Sequence, residues 1–236
     1  MSTRVGVAVA LGAAALHTAP ALTAIAPLRR RLWPGLSGLR APTAALTFDD
    51  GPDPRSTPAF LDALAALHVT ATFFVLGEMA ARAPDLLRRL HDDGHEVAVH
   101  GWTHRNHLRL PPTEVYDELA RTVELLEQIQ GERPRWFRPP YGVLSAGSCL
   151  AAARLGLRPL LWSAWGRDWE ARATPDSVLR HLRRGGLRPG ATLLLHDSDC
   201  TSAPGAWRSA LAALPTIVQE CRTAGASLVS MSEHMR

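Results

Sequence analysis

An α/β domain built on a mostly parallel sheet is what the sequence predicts, and three observations carry that expectation. The chain has 236 residues, 46% of them hydrophobic and 20% charged, a globular composition with enough apolar material for a full core. From Thr43 onward, short apolar runs alternate with amphipathic helical runs, the pattern of repeated strand–helix units. Chemistry-bearing polar residues follow the strand runs, at the sheet edge where open sheets and barrels alike hold their sites. The alternation fits an open sheet and a closed barrel equally well.

Residues 5–26 form one apolar stretch, with Arg4 before it and three arginines behind. It reads as a secretory signal with Ala24-Ile25-Ala26 as cleavage site, as a membrane anchor of about 20 apolar residues, or as a helix packed on a cytoplasmic domain. Pro20 weakens a straight spanning helix without forbidding it. Arg29 to Arg31 would be held in the cytoplasm by the positive-inside rule, which argues against simple export. A membrane-associated or extracytoplasmic location is favoured, with a cytoplasmic one as the alternative. Residues 1–27 are read as signal or anchor, 28–43 as a linker rich in Arg, Pro and Gly, and 44–236 as the main domain.

Within that domain, 44–48 is a short buried strand. Residues 58–67 carry apolar side chains at helical spacing, with Ser56 or Thr57 available to cap the helix. Residues 69–75 are β-branched and aromatic and read as strand. A helix over 84–92 ends at Gly94, and 96–99 is the next strand. The clearest helix spans 113–130, with Thr113 at its start and Val115, Leu119, Val123 and Leu126 as its stripe. Then come a strand at 159–162, a helix at 175–184, a strand at 192–195, a helix at 207–224 broken or kinked near Pro215, and a last strand at 228–231.

The composition removes several classes. Cys149, Cys200 and Cys221 are too few for a disulfide-stapled miniprotein and lack the C-x-x-C spacing of a zinc ribbon. The net charge is +4, and all 26 basic residues are arginine. They are scattered, apart from Arg29 to Arg31 and short pairs such as Arg183 and Arg184, whereas nucleic-acid binding calls for clustered basic residues interleaved with aromatics, so no nucleic-acid partner is expected. No second segment is apolar enough to span a bilayer, which excludes a multi-spanning protein.

Five segments carry chemistry. After the first strand comes Thr47-Phe48-Asp49-Asp50-Gly51-Pro52, where adjacent carboxylates repel unless a cation or proton sits beside them. Alone it would read as a solvated turn. After the third strand comes His100-Gly101-Trp102-Thr103-His104. On a helical turn, positions four apart share a face, so both imidazoles can address one ion. An Asp and two His suit zinc, cobalt or nickel better than magnesium or calcium. His95 and His107 nearby are read as surface or packing residues. In Trp136-Phe137-Arg138-Pro139-Pro140-Tyr141-Gly142 the prolines fix a loop from which Arg138 can pair with Asp49. Trp162, Trp165 and Trp169 fall within eight residues, with Asp168 among them, and offer aromatic faces to a sugar or another flat ligand. Last, His196 emerges from the apolar run Leu193-Leu194-Leu195.

In this order the five segments resemble the polysaccharide deacetylase family, the nodulation-protein-B homology domain, also called carbohydrate esterase family 4. The match runs from about Ala44 to the C-terminus, and Thr-Phe-Asp-Asp-Gly-Pro is its most specific part. The resemblance implies a distorted (β/α) barrel with mostly parallel strands and a metal-dependent hydrolase that removes acetyl groups from acetylated carbohydrate. It implies a divalent metal, zinc first, on Asp50, His100 and His104. Asp49 matches the general base and Arg138 the residue that orients it. His196 matches the general acid, and Asp168 its tuning partner. Tyr141 would offer a backbone N–H to the oxyanion, and Trp169 and Leu194 would line the acetyl pocket, with Trp165 in the substrate-binding wall. Two positions depart from the family pattern: Gly101 stands where Ser or Thr is usual, and Ser163 where an Asp is common. The first removes a hydrogen bond that Thr103 could supply; the second points to altered substrate fit. The chemistry agrees with the residues: a metal polarises the carbonyl, Asp49 takes a proton from water, and His196 protonates the leaving amine.

The expected function is therefore hydrolysis of the acetamide of N-acetylated glycans or amino sugars. An O-acetyl esterase, or an amidase acting on a small biosynthetic intermediate, is the near alternative. A non-catalytic carbohydrate-binding module is the alternative of another class, opposed by the full set of base, acid and ligands.

Overall fold

The computed structural model describes residues 2–39 and 42–236. Among them one parallel sheet is built from β1 (Ala44–Asp49), β2 (Thr72–Val75), β3 (Glu96–Val99), β4 (Trp136–Phe137), β5 (Arg158–Pro159), β6 (Ala164–Trp165), β7 (Thr192–His196) and β8 (Leu228–Val229). The strand order is β5-β4-β3-β2-β1-β7-β6, with β8 paired to the start of β1. The helices are α1 (Ser2–Thr18), α2 (Ala26–Leu32), α3 (Thr57–Leu67), α4 (Gly77–Arg82), α5 (Pro84–Asp92), α6 (Pro112–Gln130), α7 (Ala146–Arg154), α8 (Pro175–Gly185), α9 (Trp207–Thr223) and α10 (Met231–His234). This is the distorted (β/α) barrel that the motif order implied, left open because β5 and β6, the two ends of the strand order, do not pair with each other among the described residues.

Strand alternation sets the rest. Ala44, Leu46 and Phe48 point outward into the large core beneath the helices, while Ala45 joins a smaller interior cluster with Phe74, Ala98, Trp136, Leu160 and Met231. Val97 and Val99 of β3, Phe137 of β4, and Leu193 and Leu195 of β7 also join the outer core. With a period of two, the residues left for the inner face are Thr47 and Asp49 on β1, His100 just past β3, Arg138 just past β4, and Leu194 and His196 on β7. The outer core is dense: the Phe48 ring lies 5.1 Å from Phe60 and 5.0 Å from Phe73. Burying each such ring contributes roughly 1.5–3 kcal/mol. The apolar alternation that stabilises the sheet thus also aims the polar residues inward.

Several local expectations change. The helix expected over 113–130 starts at Pro112 with Pro111 at the cap position, so Thr113 is no cap; proline is pre-set for a first helical turn. Neither Ser56 nor Thr57 caps α3: both hydroxyls turn instead to Asp197. Pro215 lies inside a continuous α9. Of the strand expected over 159–162 only Pro159 is in a strand, at the end of the two-residue β5, and the next strand, β6, begins at Ala164. Helix α7, which no apolar stripe announces, is started by a capping box between Ser145 and Ser148.

The 28–43 stretch, expected as a linker, is largely docked; Arg40 and Ala41 lie outside the described residues. Helix α2 and a 3₁₀ turn (Pro34–Ser37) lie along the gap between β5 and β6. The Leu161 amide donates to the Leu36 carbonyl at 2.7 Å, and Arg29 and Arg30 donate to the carbonyls of Trp162 and Ser163, each at 2.8 Å. Backbone groups that would otherwise face an open seam are thereby satisfied. Before this plug, the segment Gly6–Ala24 has a mean hydropathy of 1.5 and is almost entirely exposed; it is long and apolar enough to cross a membrane, and a signal sequence passes the same test.

Candidate active site

Asp49 and Asp50 are successive residues, which in a regular strand would point to opposite faces. Asp50 leaves the strand with φ +80, a left-handed conformation that an aspartate tolerates. Both carboxylates consequently reach one imidazole: His100 Nε2 lies 3.8 Å from Asp49 Oδ2 and 3.4 Å from Asp50 Oδ1. Gly51 is required next, because a Cβ there would overlap the Asp197 carboxylate. Asp197 accepts from the Gly51 amide at 3.2 Å and from Thr57 Oγ1 at 2.5 Å, tying the end of β7 to the turn after β1.

His100 and His104 do not sit on a helical turn. The 100–104 segment is a loop in which Gly101 takes φ +110. It is steadied by main-chain bonds: Gly77 and Glu78 donate to the carbonyls of Gly101 and Trp102, at 2.9 and 3.0 Å. Thr103 donates to Glu118 at 3.2 Å, so the hydroxyl missing at position 101 is not replaced within the loop's own turn. His104 Nε2 still comes to 3.6 Å from Asp50 Oδ1.

Asp50, His100 and His104 present ligand atoms that all lie within 4.8 Å of one another. A tetrahedral zinc with bonds of about 2.0–2.1 Å needs donors roughly 3.3–3.4 Å apart, close to the separations seen between Asp50 and each imidazole. Three further observations fit a cation. Asp50 Oδ1 is buried without a hydrogen-bond partner, while its Oδ2 accepts from Thr201 Oγ1 at 2.5 Å. His100 Nδ1 lies 2.8 Å from the Arg138 carbonyl, which leaves Nε2 to face the site. Burial, and then the charge of His100, push His104 down to about 4, so its imidazole is neutral at pH 7 with a lone pair to give. Burial works to raise the Asp50 carboxyl, but the close approach of the His100 imidazole and the charge of His196 outweigh it and hold the group below the ordinary carboxylate range.

The remaining residues gather around this group. Arg138 is fully buried; its Nη1 donates to Asp49 Oδ1 at 2.6 Å and to Thr47 Oγ1 at 2.9 Å. Its Cζ lies 4.0 Å from the centroid of the Phe74 ring. His196 Nδ1 meets Asp168 Oδ1 at 3.0 Å, and the His196 amide donates to Asp168 Oδ2 at 2.7 Å. Burial opposes a charged His196, but the charge and hydrogen bond of Asp168 prevail and lift it to about 10. A cleft of about 240 Å³ is lined by Asp49, His100, His104 and His196 together with Tyr141, Leu194 and Trp169. Trp162 and Trp165 form its aromatic wall, their rings 5.7 Å apart. Tyr141 takes φ +60 and is 60% exposed, its ring 4.4 Å from that of His104. Gly142 follows with φ +67, and a Cβ there would stand 2.5 Å from the Trp162 ring.

Every site residue singled out from the sequence therefore lies at this cleft or directly behind it. His95 and His107 are packing residues, as expected, but buried ones: His107 stacks on Phe137 and meets Ser148 Oγ at 3.1 Å. The sequence reading missed Thr201 and Ser202, which also line the cleft, and the latch role of Asp197. No spacing rule links Thr201 to Asp50, 151 positions away.

Comparison with known proteins points to one family. A family model described as polysaccharide deacetylase matches residues 37–160. A chitooligosaccharide deacetylase from a Bradyrhizobium species is 40% identical over 182 residues, covering 74% of this chain and 81% of the relative. A solved peptidoglycan N-acetylglucosamine deacetylase superposes with a TM-score of 0.77 at 30% identity, over 84% of this chain and 91% of that one. A pseudoenzyme of carbohydrate esterase family 4 from Bacillus anthracis has the same fold, with a TM-score of 0.73 at 26% identity over 82% of this chain and 65% of that one. With a family model matched over more than half of its length and a relative this similar, the chain belongs to the polysaccharide deacetylase family.

Proposed function

We propose that the protein is a metal-dependent deacetylase that hydrolyses the acetamide of an N-acetylated glycan or amino sugar. The observation that carries this is the coexistence, in one cleft, of a three-residue cation site, a carboxylate held by a buried arginine and an imidazole held by a buried carboxylate. Asp50, His100 and His104 would hold the ion, and their N₂O donor set suits zinc, with cobalt or nickel as alternatives. When bound, the ion supplies Lewis acidity to the acetamide carbonyl and to water in the cleft. Asp49, fixed by Arg138, accepts the proton of the attacking water. His196, kept protonated by Asp168, delivers a proton to the departing amine nitrogen, without which the C–N bond does not break. The Tyr141 amide is the candidate donor to the oxyanion. Leu194 and Trp169 enclose the acetyl methyl, and Trp165 meets the sugar face.

The exposed apolar segment before α2 supports a location at a membrane or outside the cytoplasm, with residues 1–27 as signal or anchor. Fractionation of a tagged full-length chain tests this; recovery wholly in the soluble cytoplasmic fraction would overturn it.

The pseudoenzyme neighbour makes a non-catalytic sugar-binding module the reading to be separated. Acetate release is measured on chitin oligomers, peptidoglycan fragments, acetylated xylan and small N-acetyl amino sugars, with metal content followed alongside. The wild type releases acetate, chelation abolishes release, and zinc or cobalt restores it. Asp49→Ala lowers release by about 10²- to 10⁴-fold while retaining the metal. Full activity after thorough chelation, or no release from any substrate by the metal-loaded wild type, would reject the proposal.

A further inference from the structure

Behind the aromatic wall of the cleft lies a second cavity of about 360 Å³ at the seam between β5 and β6. Trp162 and Trp165 line both spaces. Four arginines line it as well: Arg29 and Arg30 from the N-terminal plug, Arg167 from the tryptophan loop and Arg184 from α8, with His181 of α8 beside them held below its ordinary value by burial and then by the charges of Arg167 and Arg184. No carboxylate lines it.

Partnering separates this cluster from ordinary surface arginines. Arg89 and Arg133 have carboxylates at 2.7 and 2.9 Å. Arg29 is 3% exposed, yet its hydrogen bonds go only to neutral atoms: Ser37 Oγ and the carbonyls of Thr23, Ala24 and Trp162. Arg30 donates to the Ser163 carbonyl, and among the described residues neither it nor Arg184 forms an ion pair. Arg167 pairs with Glu170 through Nη2, but its Nε is buried without a partner. Burial, and next the charges of Arg30 and Arg138, pull Arg29 down to about 10, the response of a cation crowded by others. Converging guanidinium groups with no counter-ion repel one another, and an anion between them relieves that repulsion.

We propose that this cavity is an anion subsite, which accepts a carboxylate or phosphate substituent of the acetamido sugar whose acetyl group occupies the cleft. The inference rests on the deacetylase reading and extends it to the substrate class: an acetylated sugar that carries negative charge. Trp165 is the shared edge: its ring stacks with that of Trp162, and the Arg167 Cζ lies 5.9 Å from its centroid. A sugar on that ring would place its acetamide and its acidic group in the two adjoining spaces. The plug then has a role beyond closing the seam, because two of the arginines reside on it.

The full-length, metal-loaded protein decides the matter in two arms. The first compares kcat/KM for acetate release from neutral triacetylchitotriose, from the carboxylate-bearing disaccharide of N-acetylglucosamine and N-acetylmuramic acid, and from N-acetylglucosamine 1-phosphate. The double variant Arg30→Gln, Arg184→Gln changes two exposed side chains. It is expected to cut the anionic-to-neutral ratio by about tenfold or more, the scale of one charge-assisted hydrogen bond. Whichever acid shows the larger ratio identifies the source of the charge. The second arm titrates N-acetylglucosamine 1-phosphate and N-acetylglucosamine into Asp49→Ala by calorimetry and needs no turnover. The phosphate should bind about tenfold tighter, and the double substitution added to Asp49→Ala should remove that gain. Equal affinity of the two ligands, or a ratio that the double variant leaves unmoved, would overturn the subsite. A failure of acetate release alone would overturn only the deacetylase reading, since the calorimetric arm still decides the subsite.

Discussion

The floor of the cleft and its rim are built on opposite plans. On the floor, Asp49, Arg138, Asp168 and His100 are all buried, and their charges meet specific partners at short range. On the rim, Tyr141 and Trp165 are 60% and 40% exposed, and of the neighbouring guanidinium groups Arg29, Arg30 and Arg184 have no carboxylate partner among the described residues. Proton transfer requires groups fixed to a fraction of an ångström, and buried, hydrogen-bonded pairs provide that fixity. Recognition of a glycan needs accessible rings and forks that close on a ligand from solvent. The floor should accordingly be sensitive in stability and in pH response, and the rim only in substrate affinity.

The largest expected effect tests the floor. Arg138→Met leaves the Asp49 carboxylate buried without its partner, and breaking a buried pair in this way costs about 3–5 kcal/mol. Denaturant unfolding should show a loss of that order. Replacing both partners, with Asp49→Leu added, should recover much of it, because a buried pair is costly mainly when halved. A loss below about 1 kcal/mol in the single variant would mean that the floor is not held by this pair.

The next effect is on pH dependence. His196 is raised from 6.5 to about 10 by Asp168 against the opposing effect of burial. A folded value above the unfolded one stabilises the protein fully below about pH 6.5, and that contribution is lost as pH rises through about 10. It also keeps the candidate acid protonated through neutral pH. Asp168→Asn removes the charge but keeps the shape, so the alkaline limb of kcat/KM should move to lower pH. A neighbouring opposite charge is worth about one to three orders of magnitude in a protonation equilibrium. Activity near pH 9 should therefore fall by at least about tenfold more than activity near pH 6. Parallel losses at both pH values would assign Asp168 a purely structural part.

How far the sequence exposed these two regions follows from the same contrast. The floor was legible because its polar residues follow the strand runs in a motif order that resembles a known family; the structure adds their direction, since Leu46 and Phe48 outward fix Thr47 and Asp49 inward, and Leu193 and Leu195 do the same for Leu194 and His196. The helix assumed for His100 and His104 was wrong in form, since a glycine-bent loop brings the rings together by main-chain bonds that no side-chain pattern encodes. Thr201 was invisible because its link to Asp50 is a tertiary contact made by a loop. The rim was half legible: three tryptophans stood out, but Arg29 and Arg30 read as part of a linker. Their function as plug depends on carbonyls at Trp162 and Ser163, 133 positions further along the chain. The failed strand at 159–162 and the misread linker are two sides of this one contact, since the backbone bond that a strand partner would have supplied to Leu161 comes from Leu36.

The smallest effect probes the rim itself. Trp165→Ala removes a half-exposed ring whose centroid lies 5.7 Å from Trp162 and 5.0 Å from Trp169. None of the floor's hydrogen bonds passes through it, so unfolding and the pH profile should stay close to wild type. An aromatic pairing is worth about 0.5–1.5 kcal/mol beyond burial, so KM should rise roughly two- to tenfold with kcat little changed. Trp169 provides the control within the same wall, because its ring lies 5.5 Å from that of His196. Trp169→Ala should lower kcat as well as raise KM. If Trp165→Ala also lowered kcat, the division would fail: the rim would then be positioning the reacting groups, and floor and rim would form one catalytic unit.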